Sequence, residues 1–130
     1  MMTKIKMPDC YCGSSIYFEN CCQPFIENKQ FPSTAEQLMR SRYVAYVLQK
    51  ADYLLETTHR SVRKFHNKKH ILNWAKSNHW LKLEVINATE TTVEFKAYYI
   101  DDQLIAQRHH EKSNFLFENG RWFYVDGVFF

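Results

Sequence analysis

Every cysteine of the chain falls within thirteen positions: Cys10, Cys12, Cys21 and Cys22 stand in the stretch DCYCGSSIYFENCCQPF, residues 9–25. Four thiols held this close must form disulfides, stay free, or share a metal ion. Neighbouring Cys21 and Cys22 are poor disulfide partners, because a vicinal bridge strains the peptide between them. Clustered thiols in a reducing compartment favour a metal. A closed set of four thiolates suits tetrahedral Zn²⁺ and leaves no open position for a substrate water. Cys10 and Cys12 face one ion only if the chain turns sharply after them, and Gly13 stands where such a turn needs it. At a helix start Cys21 and Cys22 lie about 100° apart, close enough for both to reach the ion. The expectation is one structural Zn²⁺ held by Cys10, Cys12, Cys21 and Cys22, in a knuckle of turn, short aromatic hairpin and cysteine pair.

The compartment follows from what precedes and surrounds the cluster. The opening MMTKIKMPD is basic and lacks the apolar core of a secretory leader. Apolar runs such as YVAYVL and GVFF fall far short of the roughly 20 residues that span a bilayer. A cytoplasmic protein with no membrane partner is expected, and its thiols stay reduced. Four thiolates and one Zn²⁺ lower the formal charge of +3 to about +1. Bulk electrostatics therefore argue against a nucleic-acid partner. The locally basic HRSVRKFHNKKH, residues 59–70, reads as a solvated helix edge, with RNA or ribosome contact as the competing reading.

From Ser33 the pattern turns helical. Ser33-Thr34-Ala35-Glu36 has the form of a capping box with Ser33 as N-cap. Ala35, Leu38, Met39, Tyr43 and Tyr46 then share one face at helical spacing, with Arg42 among them. Further helices are expected near Ala51–Thr58 and Lys68–Asn78. After residue 79 the period becomes two, and residues 80–89, 91–100, 103–117 and 121–127 read as four antiparallel strands. Asn119-Gly120 is a strong hairpin signal. Three helices packed on a strongly bent antiparallel sheet make an α+β fold.

The spacing Cys-x-Cys-x₈-Cys-Cys, with Gly13-Ser14 after the first pair and Tyr17 in the loop, resembles the SEC-C motif, a small zinc-binding module. Tyr11 replaces the usual proline, Ser15 the second glycine, and Glu19-Asn20 the lysines before the cysteine pair, so the lysine-rich docking surface of that motif does not carry over. LMRSRYVAYVLQKADYLLETTH and HEKSNFLFENGRWFYVDG, taken with the cysteines, resemble the YchJ family, which joins a SEC-C knuckle to a cone similar to nuclear transport factor 2. The resemblance implies a knuckle over residues 1–28 and a cone over residues 29–130. Some members carry a second knuckle after the last strand; here the sequence ends at Val128-Phe129-Phe130, and that copy is not expected.

Cones of this kind enclose a hollow between helices and sheet, a common ligand site. In the third strand Ile105, Gln107, His109, Glu111, Ser113, Phe115 and Phe117 alternate onto one face, and the two phenylalanines mark it as inward. Trp122, Tyr124 and Asp126 share a face of the last strand. The expected pocket comprises Arg42, Tyr43 and Tyr46 from the helix and His109, Glu111, Ser113, Tyr124 and Asp126 from the sheet, with Arg42 paired to Glu111. His59 is a candidate for the cone mouth, whereas His66, His70 and His79 are expected at the surface. The favoured function is a zinc-binding accessory protein that binds a protein partner through Tyr11, Tyr17 and Phe18 of the knuckle, or a small ligand in the cone. No nucleophile, base and orienting group form a set, and no phosphate-cradling loop is present. The competing enzyme reading is a hydrolase or isomerase using Glu111 with Arg42 or His109.

Overall fold

The computed structural model describes residues 8–130. The basic opening residues 1–7, read above for a leader and as the start of the knuckle, lie outside the described residues.

The knuckle is a tight hairpin. Asp9 and Tyr17 form an antiparallel bridge, Cys10 N–H donates to Ile16 O at 2.8 Å, and Phe18 N–H donates to Pro8 O at 3.1 Å. Between them Gly13 adopts φ +82°, the left-handed backbone that glycine takes without a Cβ clash. A turn of 3-10 helix, Phe18–Asn20, leads through Cys21 and Cys22 into α1, Gln23–Ile26.

Helix α2, Ala35–Val47, is the spine. Its N-cap is Thr34, not Ser33: Thr34 Oγ1 accepts from Gln37 N–H at 3.1 Å. Gln37 Oε1 in turn accepts from the Ser33 N–H and hydroxyl, both at 2.9 Å. The sequence holds two overlapping boxes, and Glu36 leaves the first because Arg40, one turn on, draws it into an ion pair at 2.9 Å. Ser41, Val44 and Ala45 are buried along with Leu38, Met39 and Arg42, so α2 is covered nearly all round. Helix α3, Ala51–Glu56, a single turn α4, Arg60–Arg63, and α5, Lys68–Ser77, follow. Helices α2, α3 and α5 match the three expected segments; α1 and α4 are additional single turns. Between α3 and α4 the chain runs beside the sheet edge, where Tyr124 N–H donates to Thr57 O and His59 N–H to Tyr124 O, both at 2.8 Å.

Strands β1 (His79–Ala88), β2 (Thr92–Ile100), β3 (Ala106–Glu118) and β4 (Arg121–Phe129) form an antiparallel meander in that order. Asn119 and Gly120, at φ +52° and +81°, close the last hairpin. Residues 103–105 belong to the preceding loop rather than to β3, because the Asp101 carboxylate accepts from Gln103 N–H and Ile105 N–H at 2.9 Å each. Ile105 is consequently exposed. Register shifts leave Leu81 and Ile86 as extra residues in β1 and Val125 in β4. Such bulges bend the strand that carries them, and here they curve the sheet around α2. One apolar core joins knuckle and cone: Cys10, Cys12 and Cys22 pack in the same cluster as Leu38, Val44, Leu83 and Val93. Among the described residues no helix is long and apolar enough to cross a membrane.

Candidate functional site

The four sulfurs lie within 4.8 Å of one another. A tetrahedron with Zn–S bonds of about 2.3 Å has sulfurs about 3.8 Å apart. Cys12 Sγ to Cys21 Sγ is 3.6 Å and Cys21 Sγ to Cys22 Sγ is 3.9 Å, on either side of that value. The donor set therefore fits a divalent soft-metal ion. Cys10, Cys12 and Cys22 are buried, while Cys21 is partly open and meets the Ser14 hydroxyl at 3.2 Å. Protons alone serve this cluster poorly. Hydrogen bonds from Cys10 and Cys22 hold the Cys12 thiol far below its ordinary range. The bond to Cys12 pushes Cys10 up to about 12, and bonds to Cys10 and Cys12 raise Cys22 as well. Cys12 and its buried neighbours Cys10 and Cys22 thus pull in opposite directions, and a cation could take the place of the protons they hold. Arg40 braces the site from α2, donating through Nη1 to Cys12 O at 2.7 Å. Of the three aromatics expected to meet a partner, Tyr11 and Tyr17 are 52% and 45% exposed, but Phe18 is partly buried against the core.

The second feature is a cavity of about 250 Å³ inside the cone. Helix α2 contributes Met39, Arg42, Tyr43 and Tyr46; the loop before α5 contributes His66, and α5 contributes Trp74. The sheet supplies Trp80, Phe95 and Ala97, then His109, Glu111, Ser113 and Phe115, and finally Tyr124 and Phe129. Glu111 is the hub. Its Oε1 accepts from His109 Nε2 at 2.8 Å, and its Oε2 accepts from the Ser113 hydroxyl at 2.6 Å and the Tyr124 hydroxyl at 3.1 Å. Burial works to raise the Glu111 pKa, but the hydrogen bonds from His109 and Ser113 outweigh it and hold the group below its ordinary value of 4.5. Burial raises the Tyr46 and Tyr124 hydroxyls and lowers His66, where the Arg42 charge adds to the effect.

The expected Arg42–Glu111 pair does not form. Arg42 Nη1 donates instead to Leu54 O at 2.9 Å, Thr57 Oγ1 at 2.7 Å and Thr58 Oγ1 at 3.3 Å. Its guanidinium lies 4.5 Å from the centre of the Tyr124 ring. The tyrosine is the wedge: its face takes the cation and its hydroxyl the carboxylate. Asp126 also leaves the pocket. The extra residue Val125 reverses the alternation, so Asp126 pairs with Asn114 on the outer face and accepts from Asn114 Nδ2 at 2.7 Å. The same reversal turns Gly127 and Phe129 inward. A Cβ on Gly127 would stand 2.7 Å from Glu111 Cδ and 2.9 Å from Cγ, so this glycine makes the room that the carboxylate fills. A lone glycine within a strand pattern is the signal that marks such a close approach.

Among the histidines, His66 is half-buried rather than fully exposed and lines the cavity, edge-on to Tyr124 at 6.3 Å. His59 is not at the mouth; it is buried, caps α4, and meets Glu118 at 3.1 Å. His109 and His110 point to opposite faces, His110 meeting Glu94 at 2.8 Å. Of the basic stretch, Arg60 reaches Glu118, Arg63 the Thr58 carbonyl and Lys68 Asp52.

The depressed Glu111 pKa has a consequence for stability. An acid whose folded pKa is lowered contributes fully above its unfolded value and loses that contribution as pH falls through the folded value. Stability is expected to hold above pH 4.5 and to decline below it. Urea titrations at several pH values should show part of that decline disappear in Glu111→Gln. Parallel losses in the two proteins would assign it to other carboxylates.

Residues 34–127 match the family model described as the YchJ middle NTF2-like domain. A UPF0225 protein of Haemophilus influenzae is 38% identical over 129 residues, covering 95% of this chain and 80% of that protein. Another, from Photorhabdus laumondii, is 41% identical over 126 residues, covering 92% and 79%. Among solved structures, the solution structure of a SEC-C motif containing protein from Rhodopseudomonas palustris superposes with a TM-score of 0.85 at 34% identity, covering 92% of this chain and 96% of that one. The crystal structure of a SEC-C motif containing protein from Psychrobacter arcticus superposes with a TM-score of 0.76 at 30% identity, covering 90% and 80%.

Proposed function

The chain belongs to the YchJ (UPF0225) family, and from that premise we propose that it is a zinc-stapled, small-ligand-binding module of the cytoplasm. Zn²⁺ is the ion expected at the thiol cluster, because four sulfurs in a closed tetrahedron satisfy it without an open coordination position. Its role there is structural: it fixes the knuckle whose buried thiols share a core with α2 and the sheet. A reducing compartment keeps those thiols available to the metal.

The observation that carries the ligand-binding reading is the hollow of about 250 Å³ beneath α2. The hollow is half open to solvent, and its walls of aromatic rings with a few convergent polar groups give it the character of a ligand site. Binding is favoured over catalysis by Glu111. Both of its oxygens already accept hydrogen bonds, three in all, and its proton affinity is lowered, which makes it a weak general base.

Native mass spectrometry of freshly purified, never-chelated protein tests both halves. One Zn²⁺ per chain and a small organic adduct that dissociates on gentle activation are the expected results. A chain free of stoichiometric metal would refute the zinc assignment, and a cavity that takes up no small organic molecule would refute the receptor.

A further inference from the structure

Among the described residues Arg42 is a buried cation without a counter-ion. It is 9% exposed, and among the described residues no carboxylate forms an ion pair with it. All three protein hydrogen bonds of its guanidinium fall on Nη1, so Nε and Nη2 find no partner among the described residues. No side-chain nitrogen or oxygen there is sealed from solvent without a hydrogen bond. The two free nitrogens therefore open onto accessible space, and the space that Arg42 lines is the cavity. Those two donors are therefore the ones still free to take a partner from the cavity.

Resting on the reading of the cone as a ligand receptor, we propose that the cavity binds a small aromatic carboxylate, with Arg42 as its anion-binding residue. The charge argument comes first. Glu111, the one carboxylate in the wall, is already engaged by His109, Ser113 and Tyr124, and the Tyr124 ring separates it from Arg42. Arg42 is left to an incoming anion. The number of donors comes second. Nε–H and Nη2–H of one guanidinium form a parallel fork that matches the two oxygens of a carboxylate. A phosphate dianion calls for more positive charge than a single arginine facing a wall that also holds Glu111. The walls come third. Trp74 and Trp80 stand edge to face at 5.0 Å, and Phe95 and Phe129 flank His109 at 6.1 and 5.4 Å. These faces and edges suit a flat ring. The volume admits a molecule on the order of ten non-hydrogen atoms, a little below the usual range of small-ligand sites.

Phenylacetate is a probe of that size, and phenylacetamide is its uncharged counterpart of the same shape. Titrated into the zinc-loaded full chain and followed by Trp74 and Trp80 fluorescence and by calorimetry, phenylacetate should bind at least tenfold more tightly than the amide. Excess inorganic phosphate should not displace it, and Arg42→Lys, which keeps the charge and loses the fork, should weaken it severalfold. Equal binding of acid and amide would overturn the anion assignment while leaving the receptor standing. Displacement by phosphate would overturn the choice of carboxylate. Failure of both acid and amide to bind would remove this inference and count against the receptor as well. The ligand pair reports on the wild-type chain, so the result does not depend on whether an Arg42 variant folds.

Discussion

Cys12→Ser is expected to release the bound ion and to lower stability by roughly 3–5 kcal/mol, a drop in Tm on the order of 10–20 °C for a chain of this size. Structural zinc in isolated knuckle peptides supplies nearly all the folding energy, on the order of 10 kcal/mol. Here the cone's helices and sheet supply most of a core that the knuckle shares, so the loss is smaller but not confined to the knuckle. Cys12 is fully buried, Cys10 and Cys22 nearly so, and all three pack in the cluster that contains Leu38, Met39 and Val44 of α2. Without the ion, thiols whose proton affinities oppose one another must share that space. The knuckle should then detach from α2, breaking the bond from Arg40 to the Cys12 carbonyl. Calorimetry on the wild type, on Cys12→Ser and on chelator-treated wild type should give two matching low-melting transitions. A variant that melts with the wild type would mean that the cluster holds no stabilising metal.

Gly127→Ala is expected to cost about 2–4 kcal/mol, although its backbone lies outside the left-handed region and suits any residue. In an ordinary strand the same change is neutral or mildly favourable, because alanine loses less conformational freedom on folding. Here the added methyl enters the space of the Glu111 side chain. Either β4 shifts away from β3 or the carboxylate leaves the hydroxyls of Ser113 and Tyr124, which then stay buried without their acceptor. The double variant Gly127→Ala/Glu111→Ala separates this from a general strand defect. If the carboxylate is the obstacle, the two changes should be less damaging together than their sum by at least about 1 kcal/mol in urea titrations. Simple additivity would place the damage elsewhere in the sheet.

Much of this molecule was legible because the signals are short-range. Four cysteines within thirteen positions, with a glycine after the first pair, can meet at one point without help from distant chain. Alternation along residues 105–117 placed His109, Glu111 and Ser113 on one inner face, since the pleat alone sets it, although Ile105 itself fell in the loop. Asn119-Gly120 placed the last turn because few dipeptides tolerate two successive positive φ angles.

Elsewhere the outcome hung on events with faint local marks. The single extra residue at Val125 reversed the facing of everything after it, sending Asp126 outward and Gly127 and Phe129 inward; only the glycine hinted at it. Capping moved from Ser33 to Thr34 because Arg40 competed for Glu36. His66 entered the cavity wall because the chain between α4 and α5 folds back over Tyr124.

Spacing and alternation were thus enough to identify the thiol cluster, the α+β order and most of the inward residues, since each depends on neighbours along the chain. The partners of Arg42 and Glu111 were beyond such reasoning. They depend on where Tyr124, 82 positions (124 − 42) along the chain from Arg42, inserts its ring, and that position is settled only when the curved sheet closes on α2. A buried charge is bound to the groups that packing brings to it, and packing is a property of the whole chain.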